Sequence, residues 1–154
     1  MTTRFPRFPI LVLAGSLFLA LLQLSLPALA VEKQLEVYKS PYCGCCEAWG
    51  RHMREAGFAV EVHDVEDLAP IKQSHGITPD LASCHTAVLG DYVIEGHVPA
   101  EDVARLLKAA PQAKGLAVPG MPLGSPGMEQ GDRSQPYDVI VFTDKGKQAV
   151  FARH

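Results

Sequence analysis

The stretch Tyr42-Cys43-Gly44-Cys45-Cys46-Glu47-Ala48-Trp49 puts three of the chain's four cysteines within four positions. It follows a strand-like run, Leu35-Glu36-Val37-Tyr38, and opens a helix-like run from Glu47 to Ala56. Thiols at a strand-to-helix junction lie beside unpaired backbone N–H groups and the positive end of a helix dipole. That setting favours the thiolate, the form that binds metal or attacks a disulfide. The fourth cysteine, Cys84, is remote in sequence. The function therefore turns on whether the fold brings it back to this loop.

Upstream, Gln34 to Tyr38 alternates polar and apolar residues as a half-buried strand does, and Ser40-Pro41 breaks it. In the helix after the loop, Cys46, Trp49, Met53 and Ala56 recur at helical spacing and are expected on one buried face. Gly57 stands where a helix commonly closes in a left-handed conformation. Phe58 to Val65 reads as a second strand, and Asp67 is placed to cap a short helix holding Pro70 and ending at Gly76. Thr86 to Leu89 reads as a third strand, turning at Gly90-Asp91 into Tyr92-Val93-Ile94. A helix from Pro99 carries Glu101 and Asp102 in its first turn and is expected to bury Val103, Leu106 and Leu107.

From Pro111 to Pro136 the chain holds five Pro and five Gly and shows no periodicity. A loop that long within one domain is usually functional or disordered. It repeats a short pattern, Pro119-Gly120-Met121 and Pro126-Gly127-Met128, which presents two methionines from turns. Tyr137 to Thr143, the turn Asp144-Lys145-Gly146, and Gln148 to Ala152 predict a C-terminal β-hairpin.

Residues 1–30 read as a signal peptide. Arg4 and Arg7 give a basic start, Ile10 to Leu26 is apolar, and Ala28-Leu29-Ala30 offers small residues for cleavage. The alternative is an uncleaved membrane anchor, since the run is nearly long enough to span. Cleavage leaves residues 31–154 as a single domain, with no further apolar stretch that would cross a bilayer. That domain has twelve basic against seventeen acidic residues, a net charge of −5 with His neutral. A mildly acidic chain without a basic run argues against nucleic acid as a partner.

Export implies an oxidising compartment, the periplasm, where four cysteines can form two disulfides in three pairings. Adjacent Cys45 and Cys46 are poorly placed to bridge each other. Cys43 and Cys46 form a Cys-x-x-Cys pair, so dithiol redox chemistry is open to them. A metal site is the other reading. Neighbouring side chains at Cys45 and Cys46 diverge, which suits several ions sharing thiolates better than one tetrahedral zinc. Soft sulfur ligands select Cu(I), and Met121 and Met128 are thioethers of the same kind. His97 and His85 are further candidate ligands. His97 serves equally as a helix cap or a hydrogen-bond partner, and the two methionines equally as loop packing. His52, His63 and His75 fall on expected surface elements, and Trp49 and Met53 in the expected core.

The predicted order β-α-β-α-β-β-α resembles that of thioredoxin and glutaredoxin-like domains, which carry their redox motif between the first strand and first helix. The resemblance implies that the segment before the third strand faces that motif, setting Cys84 beside Cys43, Cys45 and Cys46. This chain lacks the cis-proline of those enzymes at the corresponding place, which argues against general thioredoxin-type substrate handling.

A closer likeness is carried by Tyr38 to Cys46, Ser83-Cys84-His85-Thr86, Glu95-Gly96-His97-Val98-Pro99 and Gly115 to Pro122. These motifs resemble the exported, predicted metal-binding family that includes the copper-resistance proteins of CopG type. The resemblance implies a thioredoxin-like domain in the periplasm, with Cys43, Cys45, Cys46 and Cys84 holding a Cu(I) cluster of more than one ion. His97, Met121, Met128 and His85 are its weaker candidates. The expectation is an α/β protein whose thioredoxin-like sheet is flanked by helices, binding copper for resistance or homeostasis. Its partners would be copper ions and another periplasmic copper protein or exporter. The rival is an oxidoreductase, cycling Cys43 with Cys46 or changing the copper valence.

Overall fold

The computed structural model describes residues 1–2 and 34–154. The expected signal peptide thus lies outside the described residues, apart from Met1 and Thr2. The elements run β1 (Gln34–Lys39), α1 (Gly44–Glu55), β2 (Ala59–Asp64), α2 (Ala69–Ser74), β3 (His85–Leu89), β4 (Tyr92–Glu95), α3 (Ala100–Ala109), β5 (Gly115–Ala117), β6 (Asp138–Phe142) and β7 (Gln148–Arg153). The strands form one sheet in the order β2-β1-β3-β4-β5-β6-β7, flanked by the helices. Among the described residues, no helix is long and apolar enough to cross a membrane.

The register explains where the chemistry gathers. β1 and β2 are parallel, whereas β3 runs antiparallel to β1 with Lys39 opposite His85. β4 returns antiparallel to β3, with Thr86 opposite Glu95. The end of β1, the start of β3 and the end of β4 therefore meet at one end of the sheet. Three loops leave from there: the one carrying Cys43, the one carrying Cys84, and the one carrying His97.

Leu35 and Val37 point into the core from β1, and so does Lys39, at 1 % exposure. A buried ammonium needs anionic partners. Lys39 Nζ finds Glu47 Oε1 of α1 at 2.8 Å and Asp64 Oδ1 of β2 at 2.6 Å. The pair ties three elements together just before the cysteine loop. On α1, Cys46, Trp49, Gly50 and Met53 are buried at helical spacing. Ala56, expected on that face, is exposed, because the helix ends at Glu55 and Ala56 is its C-cap. Leu107 of α3 is only half-buried, unlike Val103 and Leu106.

The stretch from Pro111 to Pro136 is not all loop. Gly115–Ala117 forms β5, fully buried, parallel to β4 and antiparallel to β6. Three residues are too few to show a period. β5 joins the antiparallel β6–β7 pair to the main sheet, a connection the sequence left open. Elsewhere the boundaries move by a residue or two: His85 belongs to β3, and Asp67 Oδ1 accepts the Ala69 N–H at 2.9 Å at the start of α2.

Trp49 is fully buried, and its indole N–H donates to the Val98 carbonyl at 2.9 Å. Trp49→Phe removes that donor and leaves a void. It is expected to destabilise the protein by about 1–3 kcal/mol, read as a lower urea midpoint at unchanged m. An unchanged midpoint would show that this contact does not hold α1 to the sheet.

Candidate metal centre

Cys43 caps α1, its sulfur accepting the Cys46 N–H at 3.3 Å, while its own N–H donates to the Ser40 carbonyl at 3.0 Å. Cys43 and Cys46 are joined by a disulfide, and Cys45 and Cys84 are free. Cys45 Sγ lies 3.5 Å from Cys43 Sγ, and Cys84 Sγ lies 3.5 Å from Cys46 Sγ. All four sulfurs fall within 4.8 Å of one another, so the fold does return the remote cysteine to the loop. Metal–sulfur bonds of about 2.3 Å place two ligand sulfurs about 3.8 Å apart in a tetrahedral site and about 4.6 Å apart across a linear one. The cluster falls within the span that one or more thiolate-bound ions require.

Cys84 is the hub. Besides Cys46, its sulfur touches His97 Nε2 at 3.0 Å and His85 Nδ1 at 3.3 Å. Cys84, His85 and His97 form a second group of donors within 4.8 Å. The tautomer of His97 follows from its other contact. Nδ1 lies 2.8 Å from the Pro126 carbonyl, which only accepts, so Nδ1 carries the proton and Nε2 presents its lone pair to the sulfur. That is the arrangement of a metal-ligating imidazole held from behind. His85 is fully buried, its ring 4.4 Å from that of Trp49, and its Nε2 has no hydrogen-bond partner among the described residues.

Cys84 and the two imidazoles are held in their neutral forms. Burial, reinforced by the nearby Cys45 thiol, pushes the Cys84 thiol up to about 12. Burial also lowers both imidazoles, His85 well below its usual value with help from His97 and Lys72. For His97 the bond to Pro126 and the charge of Glu129 only partly oppose burial. Neutral imidazoles are ready to ligate, whereas an incoming cation must displace the Cys84 proton.

The segment holding Pro126 lies against the cysteine helix. Gly127 has φ +86°, and a Cβ there would come within 2.6 Å of the Cys45 carbonyl oxygen and 2.8 Å of the Trp49 nitrogen. Only glycine fits so close to the helix backbone. Met128 is half-buried in this strap, its N–H bonded to the Ser125 carbonyl at 2.8 Å. Met121 is 52 % exposed, beside Gly120, whose N–H donates to the Ala82 carbonyl at 3.0 Å. The four cysteines and two histidines are thus brought together, while the methionines ride on the adjoining strap.

Sequence reasoning passed over Pro126 and Gly127 as site elements, because a carbonyl and an absent side chain leave no ligand-like signature. His52, expected on a surface element, has a structural partner instead. Its Nε2 accepts the Ala100 N–H at 3.1 Å and so caps α3. His63 is half-buried and stacks on Tyr38 with ring centroids 4.9 Å apart. Two cavities of ≈ 550 Å³ lie elsewhere, one lined by Pro119, Tyr137 and His154 and the other by Lys114, Lys145 and Lys147, and neither includes a cysteine.

A family model described as "Protein of unknown function, DUF411" matches residues 81–128, which span Cys84, His97, Met121 and Met128. Two solved structures of copper resistance protein CopG, form 1 and form 2, are each 41 % identical to the chain and cover 79 % of it. The match takes in 96 % and 97 % of those chains, with TM-scores of 0.75 and 0.76. No curated protein sequence matches.

Alkylation tests the thiol chemistry. With the Cys43–Cys46 bond intact and no metal, iodoacetamide near neutral pH is expected to label Cys45 ahead of Cys84, because the reagent attacks thiolate. Labelling of Cys84 should rise as pH climbs towards about 12. Equal labelling of both at neutral pH, read by peptide mass spectrometry, would contradict the half-buried, protonated state of Cys84.

Proposed function

The chain belongs to the CopG copper-resistance family, and from that premise we propose that it is a periplasmic protein that holds Cu(I) as a thiolate cluster. Cys43, Cys45, Cys46 and Cys84 supply the sulfurs, and His97 supplies a nitrogen through Nε2. The observation that carries the reading is the position of Cys84 Sγ, 3.5 Å from Cys46 Sγ and 3.0 Å from His97 Nε2. Thiolate and imidazole donors with little carboxylate among them suit a soft ion over magnesium or calcium. Four sulfurs and two imidazoles offer more donors than one two- to four-coordinate ion takes, which supports more than one copper per chain. His85 Nδ1 and the strap methionines Met121 and Met128 remain auxiliary donors in this reading.

Full occupation requires reduction of the Cys43–Cys46 bond by an external dithiol, which gives two electrons and two protons and is itself oxidised to a disulfide; binding then releases the protons of the two new thiols. The same bond supports the second reading, a thiol–disulfide oxidoreductase cycling Cys43 with Cys46 at a helix N-terminus. The sheet segment β2-β1-β3-β4, with β1 and β2 parallel and β3 and β4 antiparallel, supports a thioredoxin-like core under either reading. The basic and apolar N-terminus supports export, and Tyr42, 93 % exposed beside Cys43, stands where a copper-exchanging partner would approach.

Loading the reduced protein with Cu(I) and counting bound metal tests the proposal. The parent chain is expected to hold more than one copper, and Cys84→Ser to hold less. Affinity should fall as pH is lowered, because protons compete for the same sulfurs. Unchanged copper content in Cys84→Ser would take Cys84 out of the site. Turnover of a disulfide substrate at enzymatic rates without copper would favour the second reading.

A further inference from the structure

Glu95 closes β4 and is fully buried. A buried carboxylate is costly unless its charge and lone pairs are met. Three donors meet them: Lys72 Nζ of α2 at 2.5 Å, the Ser83 N–H at 2.6 Å and the Thr86 hydroxyl at 2.7 Å. Lys72 also donates to Thr86 Oγ1 at 3.1 Å, which closes a ring of partners. Ser83 and Thr86 flank Cys84 and His85 on either side, so one carboxylate grips both ends of the segment that carries the hub sulfur. The two residues after Glu95 act on the same segment. The Gly96 N–H donates to the His85 carbonyl at 3.0 Å, and His97 Nε2 meets Cys84 Sγ at 3.0 Å. Ser83 in turn donates its hydroxyl to the Gly120 carbonyl, which fastens the strap to the same point.

Stability alone gives weak reason for an ion pair here, since well-packed apolar residues commonly serve as well in a protein interior. What the pair adds is direction. A carboxylate with three fixed donors allows the Ser83–Thr86 segment one register against β4, and a shift of that register would carry the sulfur away from Cys46 and His97.

We infer that Glu95 and Lys72 are positioning residues for the metal centre, setting Cys84 Sγ within reach of Cys46 and His97 without touching the ion themselves. The inference rests on the Cu(I)-binding reading above and assigns that site a supporting charge pair drawn from β4 and α2. α2 buries no residue of its own, so Lys72 gives that short helix a role at the site.

Cu(I) is titrated into the intact, reduced protein against a colorimetric Cu(I) chelator, and the sulfur-to-copper charge-transfer bands are recorded. Glu95→Gln keeps the side chain's size and removes its charge. It is expected to weaken Cu(I) binding by roughly 10–100-fold, the usual cost of losing an outer-shell partner, and to shift the bands. Lys72→Met should act in the same direction. The double variant Glu95→Gln/Lys72→Met should lose less than the two single effects combined, because neither charge is then left unpaired. If Glu95→Gln fails to fold, the double variant and Thr86→Val carry the same comparison. Parent-like affinity and bands in folded variants, even with a lowered melting temperature, would reduce the pair to a structural one and overturn the inference. Failure of the parent chain to bind Cu(I) would remove the reading beneath the inference, and the inference with it.

Discussion

The antiparallel pairing of β3 with β1, with Lys39 opposite His85, is the constraint on which the site depends. Cys46 and Cys84 stand 38 residues apart in sequence, yet this register leaves their sulfurs 3.5 Å apart. A one-residue slip would turn every β3 side chain to the other face. Inward-facing residues oppose such a slip: Ala87 and Leu89 are fully buried on β3, against Leu35 and Val37 of β1. The hydrophobic core thus fixes the position of a polar cluster it does not contain.

Around that cluster the protein spends buried charge where it needs direction and keeps the donors neutral. Lys39 sits between Glu47 and Asp64 on the cysteine-loop side, and Lys72 meets Glu95 on the Cys84 side. Two lysines and their three carboxylate partners therefore bracket the loops that carry sulfur. The donors themselves hold protons or no charge: a Cys84 thiol raised to about 12 and two imidazoles lowered by burial. A pocket in that state repels neither cation nor proton strongly. It exchanges one for the other, which makes copper affinity and acidity opposing variables.

Much of this was legible in the residues, and what escaped has physical reasons. The cysteine loop, its helix and the strand before it follow from a turn at Ser40-Pro41 and the spacing of Cys46, Trp49 and Met53. The meeting of Cys84 with that loop was not readable from spacing, because strand pairing is long-range. It came from likeness to known folds. β5 escaped because three residues show no period, and Gly127 and Pro126 because their contributions are a missing Cβ and a carbonyl. His52 falls on a helix surface in the sequence pattern, but its partner, the Ala100 N–H, comes from a different element. Met121 and Met128 were singled out by composition. The Met128 turn lies over the cysteine helix, whereas the Met121 turn is bonded to Ala82 and Ser83 and leaves Met121 facing solvent.

X-ray absorption at the copper edge of the loaded protein tests the central claim most directly. The account predicts a Cu(I) edge and a nearest shell dominated by sulfur, with an imidazole contribution that falls in His97→Gln. A nearest shell of nitrogen and oxygen alone, with the four cysteines left free to alkylate, would contradict it.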